Sequence, residues 1–168
     1  MRIGLGAVVV PALRIALGIM ALVAASDSTA AEASLCNLLA PADVAPLLGA
    51  AQSGTLGASG LTCIWGDMSG VGGKRGLMIQ APSVHGRAAD AFKAIHDKDL
   101  RNYPAQTKDE PGIGDQAFSA LKNYGVIFTV LTKDRVLQLQ YSISKPGTDA
   151  DLVALRAVAK EAVAAFAP

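Results

Sequence analysis

G-V-I-F-T-V-L-T-K-D-R-V-L-Q-L-Q-Y-S-I, from Gly125 to Ile143, is the stretch that decides the fold class. Residues 125–132 and 136–143 are rich in β-branched, leucine and aromatic side chains, and only Lys133, Asp134 and Arg135 separate them. That spacing predicts two strands reversing through a short hairpin, hence antiparallel pairing. In the second run Leu137, Leu139, Tyr141 and Ile143 fall on one side of the pleat, with Gln138, Gln140 and Ser142 on the other. One face should pack on a core while the other is partly solvated.

Beyond the hairpin, residues 149–166 bring Leu152, Leu155, Val158, Ala159, Val163 and Phe166 onto one side of a helix that Thr148 or Asp149 can cap. Upstream, P-G-I-G-D-Q-A-F at 111–118 marks a tight turn entering a further strand. Before it, residues 87–100 space alanines with Phe92, Ile95 and Leu100 at helical intervals and put Arg87, Asp90, Lys93, Asp97 and Lys98 elsewhere. This is an amphipathic helix lying on a sheet. Residues 61–66 and 77–81 read as strands joined across the glycine-rich stretch 67–76, with Cys63 and Trp65 on a common face. Residues 41–48 form a short helix that begins at Pro41, stops at Gly49 and turns Leu38, Val44, Leu47 and Leu48 inward, and a glycine- and serine-rich loop follows over 50–60. Helix, two strands, helix, about three strands and helix give an α+β domain: a mainly antiparallel sheet of about five strands flanked by three helices.

The N-terminus sets the compartment. Arg2 and Arg14 punctuate an apolar, alanine-rich segment whose unbroken run over 15–25 is too short to span a bilayer and is followed by small and polar residues. It reads as a cleaved signal peptide, residues 1–33, with processing after Ala25, Ala30 or Ala33 and the A-E-A triplet favouring Ala33. A retained anchor would bury Arg14 in hydrocarbon. The remaining stretch, 34–168, is about 135 residues, enough for one domain and one core. A periplasmic or secreted location follows, and there the only two cysteines, Cys36 and Cys63, are expected to form a disulfide. Leu35 stands where a lipobox needs a small residue, so Cys36 is available to pair.

Charge and motifs narrow the function. The chain carries 15 basic and 14 acidic residues. Removing Arg2, Arg14, Asp27 and Glu32 leaves 13 and 12, a balance that does not steer toward nucleic acid or an anionic membrane. His85 and His96 stand eleven apart outside any metal-ligand spacing, and no C-x-x-C occurs, so neither a metal, a cofactor nor redox catalysis is implied. G-A-S-G at 57–60 lacks the spacing of a nucleophile elbow. G-V-G-G-K-R at 70–75 lacks the phosphate-loop pattern and precedes a strand; its Lys74–Arg75 pair reads as a solvated loop tip. Asp115, after a glycine, suits a turn-forming side chain better than a general base.

The segment C-N-L-L-A-P-A-D-V-A-P-L-L-G at 36–49, T-C-I-W at 62–65 and G-I-G-D-Q-A-F at 112–118 together resemble a broad group of small secreted bacterial proteins and lipoproteins, many of them domains of unknown function. The resemblance implies an antiparallel sheet flanked by helices, similar to the PsbP-like sandwich, and supplies no catalytic residue. The chain departs from the group in lacking a lipobox and in having Ala40 where the helix cap is usually Ser or Thr. Three roles follow in order: a non-catalytic secreted module binding a protein, glycan or small apolar ligand; an envelope inhibitor or accessory subunit presenting a loop such as 53–60 or 69–76; and an enzyme with an unfamiliar site. The binding face expected for the first is the one that Gln138 and Gln140 share, a polar row on a rigid strand.

Overall fold

The computed structural model describes residues 34–166. It contains one antiparallel sheet of seven strands: β1 (Thr55–Leu56), β2 (Thr62–Gly66), β3 (Gly76–Gln80), β4 (Thr107–Asp109), β5 (Gln116–Lys122), β6 (Gly125–Thr132) and β7 (Arg135–Ser142). Their order across the sheet is β1-β2-β3-β7-β6-β5-β4. The helices are α1 (Ala45–Leu48), α2 (Ala88–Asn102) and α3 (Asp149–Phe166). The α+β class with three helices is as expected, but the sheet has seven strands rather than five. The two additional strands, β1 and β4, are its edges, two and three residues long. The N-terminal segment read as a signal peptide lies outside the described residues.

Two meanders make the sheet. Strands β1 to β3 form one and β4 to β7 the other, and they join where β3 pairs β7 in the register Leu77↔Tyr141, Ile79↔Leu139, Gln80↔Gln138. The central hairpin is tighter than three linking residues suggested: Thr132 pairs Arg135, leaving Lys133 and Asp134 as the turn. Lys133 takes φ 52°, a left-handed value that two-residue hairpins require. The backbone N–H of Lys133 donates to the Asp115 carboxylate, so the aspartate of the G-D-Q-A-F turn clamps this hairpin.

The sheet separates two apolar clusters. On one face Leu137, Leu139 and Tyr141 of β7 join Cys63, Trp65, Leu77 and Ile79 under α1 and α3. The inward side of α3 is the predicted one: Leu152, Leu155, Val158, Ala159, Val163 and Phe166 are all buried. Thr148 caps it, with its hydroxyl oxygen accepting from the Asp151 N–H while the Asp151 carboxylate accepts from the Thr148 N–H. On the other face Phe92 of α2 packs edge-on to Phe118 at 5.5 Å, with Leu131 and Val136 beside them. The first helix begins later than Pro41 and runs only over Ala45–Leu48, because the Asp43 carboxylate holds the Ala40 N–H in a preceding turn. Its stop at Gly49 is as read, at φ 82°.

The Cys36–Cys63 disulfide is present, with Cα atoms 5.2 Å apart. It ties a single 3-10 turn, Leu35–Asn37, to the second strand. Trp65 and Cys63 are both fully buried on one face, as the strand alternation predicts. Gly54 lies against them, and a side chain there would come within 2.7 Å of the Trp65 ring and overlap Cys63 Sγ. This glycine is required for space rather than for a special backbone angle.

Candidate functional site

The glutamines singled out from the sequence sit side by side on β7, both half-buried. Gln138 is held within the sheet: the Gln80 side-chain amide donates to its oxygen, and its own amide donates to Thr129 Oγ1 at 3.2 Å. Gln140 stands in register between Met78 and Ile127. The face they share is partly covered by α2.

The other candidates are scattered. His85 is exposed in the loop before α2, whereas His96 is half-buried beside the Phe118 ring at 4.7 Å, with Nε2 3.4 Å from an Asp109 oxygen. Among the described residues no group of three or more His, Cys, Asp and Glu side chains could hold a metal. Lys74 pairs with Asp67 at 2.8 Å, and this contact with the Ser69 hydrogen bonds holds the Asp67 carboxyl well below the usual carboxylate range. Arg75 is not simply solvated: its guanidinium donates to the Leu47 carbonyl at 3.2 Å. The Tyr141 hydroxyl donates to the same carbonyl at 3.1 Å, and burial pushes its pKa up. Both therefore tie α1 to the sheet.

Two polar clusters that the sequence did not reveal act as clasps. The buried Glu110 carboxylate accepts from Ser119 Oγ at 2.7 Å and from Arg156 Nε and Nη2 at 2.8 and 2.9 Å, locking α3 to the β4–β5 edge. Lys122 donates to Asp99 at 2.8 Å and lies 3.7 Å from the centroid of the Tyr103 ring, which holds the C-terminal end of α2. In both, the charged atoms face their partners, an arrangement that suits fixing elements rather than turning over a substrate.

A cleft of about 390 Å³ opens where the two clusters reach the same end of the sheet. Leu35 and Phe166 enter it from the α1–α3 side, Val136 and Val84 from the α2 side. Ala81 and Pro82 line the link between β3 and α2. The outer wall is the β1–β2 hairpin, whose loop closes through the Gly57 N–H donating to the Thr62 carbonyl and is carried on by Ala81 N–H to Leu61 O. That hairpin leaves Leu56 at 47% and Leu61 at 39% exposure, both facing the cleft. Ser34, Ser83, Asp134 and Arg135 also line it, the last with its guanidinium 5.3 Å from the Phe166 ring centroid. No histidine lines it, so neither serine has an imidazole base within the cleft. The arrangement can desolvate an apolar body and hydrogen-bond a polar end.

Sequence reading missed this site because Leu56 lay in what read as a glycine- and serine-rich loop and Leu61 was taken as the start of a strand; the signal was T-L-G-A-S-G-L at 55–61, two leucines bracketing a tight glycine-containing turn. No family model, curated protein or solved structure matches the chain.

Proposed function

We propose that the protein is an exported, non-catalytic binding module that takes a small apolar ligand in the cleft at the end of its sheet. The observation that carries this reading is the convergence of Leu56 and Leu61, two large side chains left exposed, on one cleft that both apolar clusters floor. Isolated exposed apolar residues are ordinary surface, as at Val71 and Tyr124; a concave group of them is a ligand site by default. Export is supported by the signal-like N-terminus and by the disulfide, which persists in oxidising compartments. The near-balanced charge gives no support to a nucleic-acid partner, and no helix among the described residues is long and apolar enough to cross a membrane.

The test uses the neutral fluorophore N-phenyl-1-naphthylamine. The oxidised protein should enhance and blue-shift its emission saturably, and Leu61→Asp should abolish this while leaving the circular dichroism unchanged, since Leu61 is already part-exposed. Absence of enhancement in the wild type, or its survival in Leu61→Asp and Leu56→Asp alike, refutes the assignment.

A further inference from the structure

The disulfide lies where it can regulate the cleft, a step that rests on the cleft being the binding site. Cys36 follows Leu35, which lines the cleft, and Cys63 stands in register with Leu56 of the outer-wall hairpin, two residues after Leu61. The bridge therefore staples the Leu35 wall to the Leu56 and Leu61 wall. The hydrogen bonds of the 3-10 turn close within the turn itself: Asn37 N–H donates to Ser34 O at 2.7 Å, Leu38 N–H to Leu35 O at 3.3 Å, and Cys36 N–H to Ser34 Oγ at 3.3 Å. What fixes the turn against the sheet is the bridge and the packing of Leu35, Leu38 and Leu39.

The bridge is also approachable from one side. Cys63 is fully buried, but Cys36 is only half-buried and lines a separate, open cleft of about 420 Å³ with Pro41, Ser53 and Gly54. A thiolate entering there bonds to Cys36 Sγ; the S–S bond breaks, and its electron pair leaves with Cys63 Sγ, which takes up a proton. With a dithiol as reductant, its second thiolate attacks its own first sulfur in the mixed disulfide, and Cys36 is released and protonated. Two protein thiols are gained while the dithiol is oxidised to a cyclic disulfide.

We infer that the cleft is redox-gated: the formed bridge holds the Leu35 wall in place for an apolar ligand, and reduction by a dithiol frees that wall and weakens binding. A wall that must be re-ordered when the ligand arrives lowers affinity by about tenfold for each backbone residue so fixed. The coupling is reciprocal, so bound ligand should protect the bridge by the same factor, and tenfold corresponds to about 30 mV in its reduction potential.

The experiment measures N-phenyl-1-naphthylamine affinity before and after dithiothreitol, with circular dichroism recorded on every sample, in sucrose, which favours the compact state. Cys36→Ser/Cys63→Ser supplies the unbridged state without reductant. The oxidised wild type should bind about tenfold more tightly than the reduced protein or the double variant, and dithiothreitol should change nothing in the latter. In Leu35→Ala the oxidised affinity should already be low, and reduction should lower it little further. Equal or tighter binding by the reduced, natively folded wild type overturns the gating and leaves the cleft standing. If the oxidised wild type does not bind the probe, the cleft reading itself is wrong. Loss of the native circular dichroism on reduction and in the double variant also overturns the gating, because the bridge then holds the whole domain rather than one wall. A loss on reduction as large in Leu35→Ala as in the wild type overturns the assignment to that wall.

Discussion

Replacing Arg156 by alanine should destabilise the protein more than neutralising its buried partner, and neutralising that partner should then restore stability. Glu110 is 5% exposed, and its carboxylate is satisfied by one hydroxyl and two guanidinium donors. In Arg156→Ala it keeps only Ser119, leaving a buried charge without a counter-ion, a situation that costs about 3–5 kcal/mol. In Glu110→Gln the amide oxygen still accepts from Ser119, while Arg156, whose side chain is 37% exposed in the native pair, turns its guanidinium into water. The loss is then about 1–1.5 kcal/mol, that of a hydrogen bond exchanged for hydration. In the double variant the buried group is neutral and still bonded, so the total should be about 2 kcal/mol, making Arg156→Ala/Glu110→Gln more stable than Arg156→Ala alone. Urea unfolding followed by circular dichroism measures all three, and the midpoint of Arg156→Ala should rise when the second change is added. If Arg156→Ala costs under about 1 kcal/mol, or the double variant is weaker than both singles, water reaches Glu110 and the clasp does not have the energetics its burial implies.

Gly54→Ala should lose about 1–3 kcal/mol, the usual cost of forcing a methyl group into a packed site, because the new atom meets Trp65 and Cys63; unchanged thermal stability would show that the 50–54 loop moves aside freely. Reducing the disulfide should cost about 3.5 kcal/mol on the chain-entropy model for a sequence separation of 27, read as a lower denaturation midpoint with dithiothreitol, and a midpoint that does not move would mean the 3-10 turn is held by Leu38 and Leu39 alone. The Asp67 carboxyl, depressed by its contact with Lys74, should titrate below 3.8 in the folded protein by carbon-detected NMR and move upward in Lys74→Ala. Since its folded value lies under the unfolded one, whatever it adds to stability is present above the unfolded value and is lost as pH falls through the folded one, and high salt should weaken it because both groups are exposed.

The parts of the fold legible in the sequence were those where one residue pattern met one physical demand. Strand β7 alternates because one face meets the α1–α3 core, and α3 shows its stripe because one side lies on the sheet. The edge strands did not show. Thr55–Leu56 and Thr107–Asp109 pair on one side only, are too short for alternation and are largely polar, so their pairing is imposed by β2 and β5 rather than by their own side chains. The disulfide needed only the cysteine count and the apolar N-terminus. The Glu110 clasp stayed hidden because its partners are 9 and 46 residues away and nothing local marks a carboxylate that will be buried. The same holds for the cleft, whose walls come from residues 34–35, the β1–β2 and β6–β7 turns, the link after β3 and Phe166. For Gln138 the alternation placed the side chain on the predicted face and the β6–β7 hairpin brings it Thr129, but its other neighbour, Gln80, depends on the joint between the two meanders, which no local pattern encodes.

That joint also orders events in time. The β1–β2–β3 meander and the β4–β7 meander each form from contacts between chain neighbours, whereas β3 meets β7 only when residues as far apart as Gln80 and Gln138, 58 positions, are brought together. Closing so long an intervening segment is the entropically costly step, and topologies of high contact order fold slowly for this reason. Cys36 and Cys63 both precede the joint, so a chain emerging N-terminus first can oxidise before its sheet is complete. Truncating Ile79 or Leu139, which face each other across the seam, should therefore slow refolding, while truncating Leu56 at the far edge should mainly hasten unfolding.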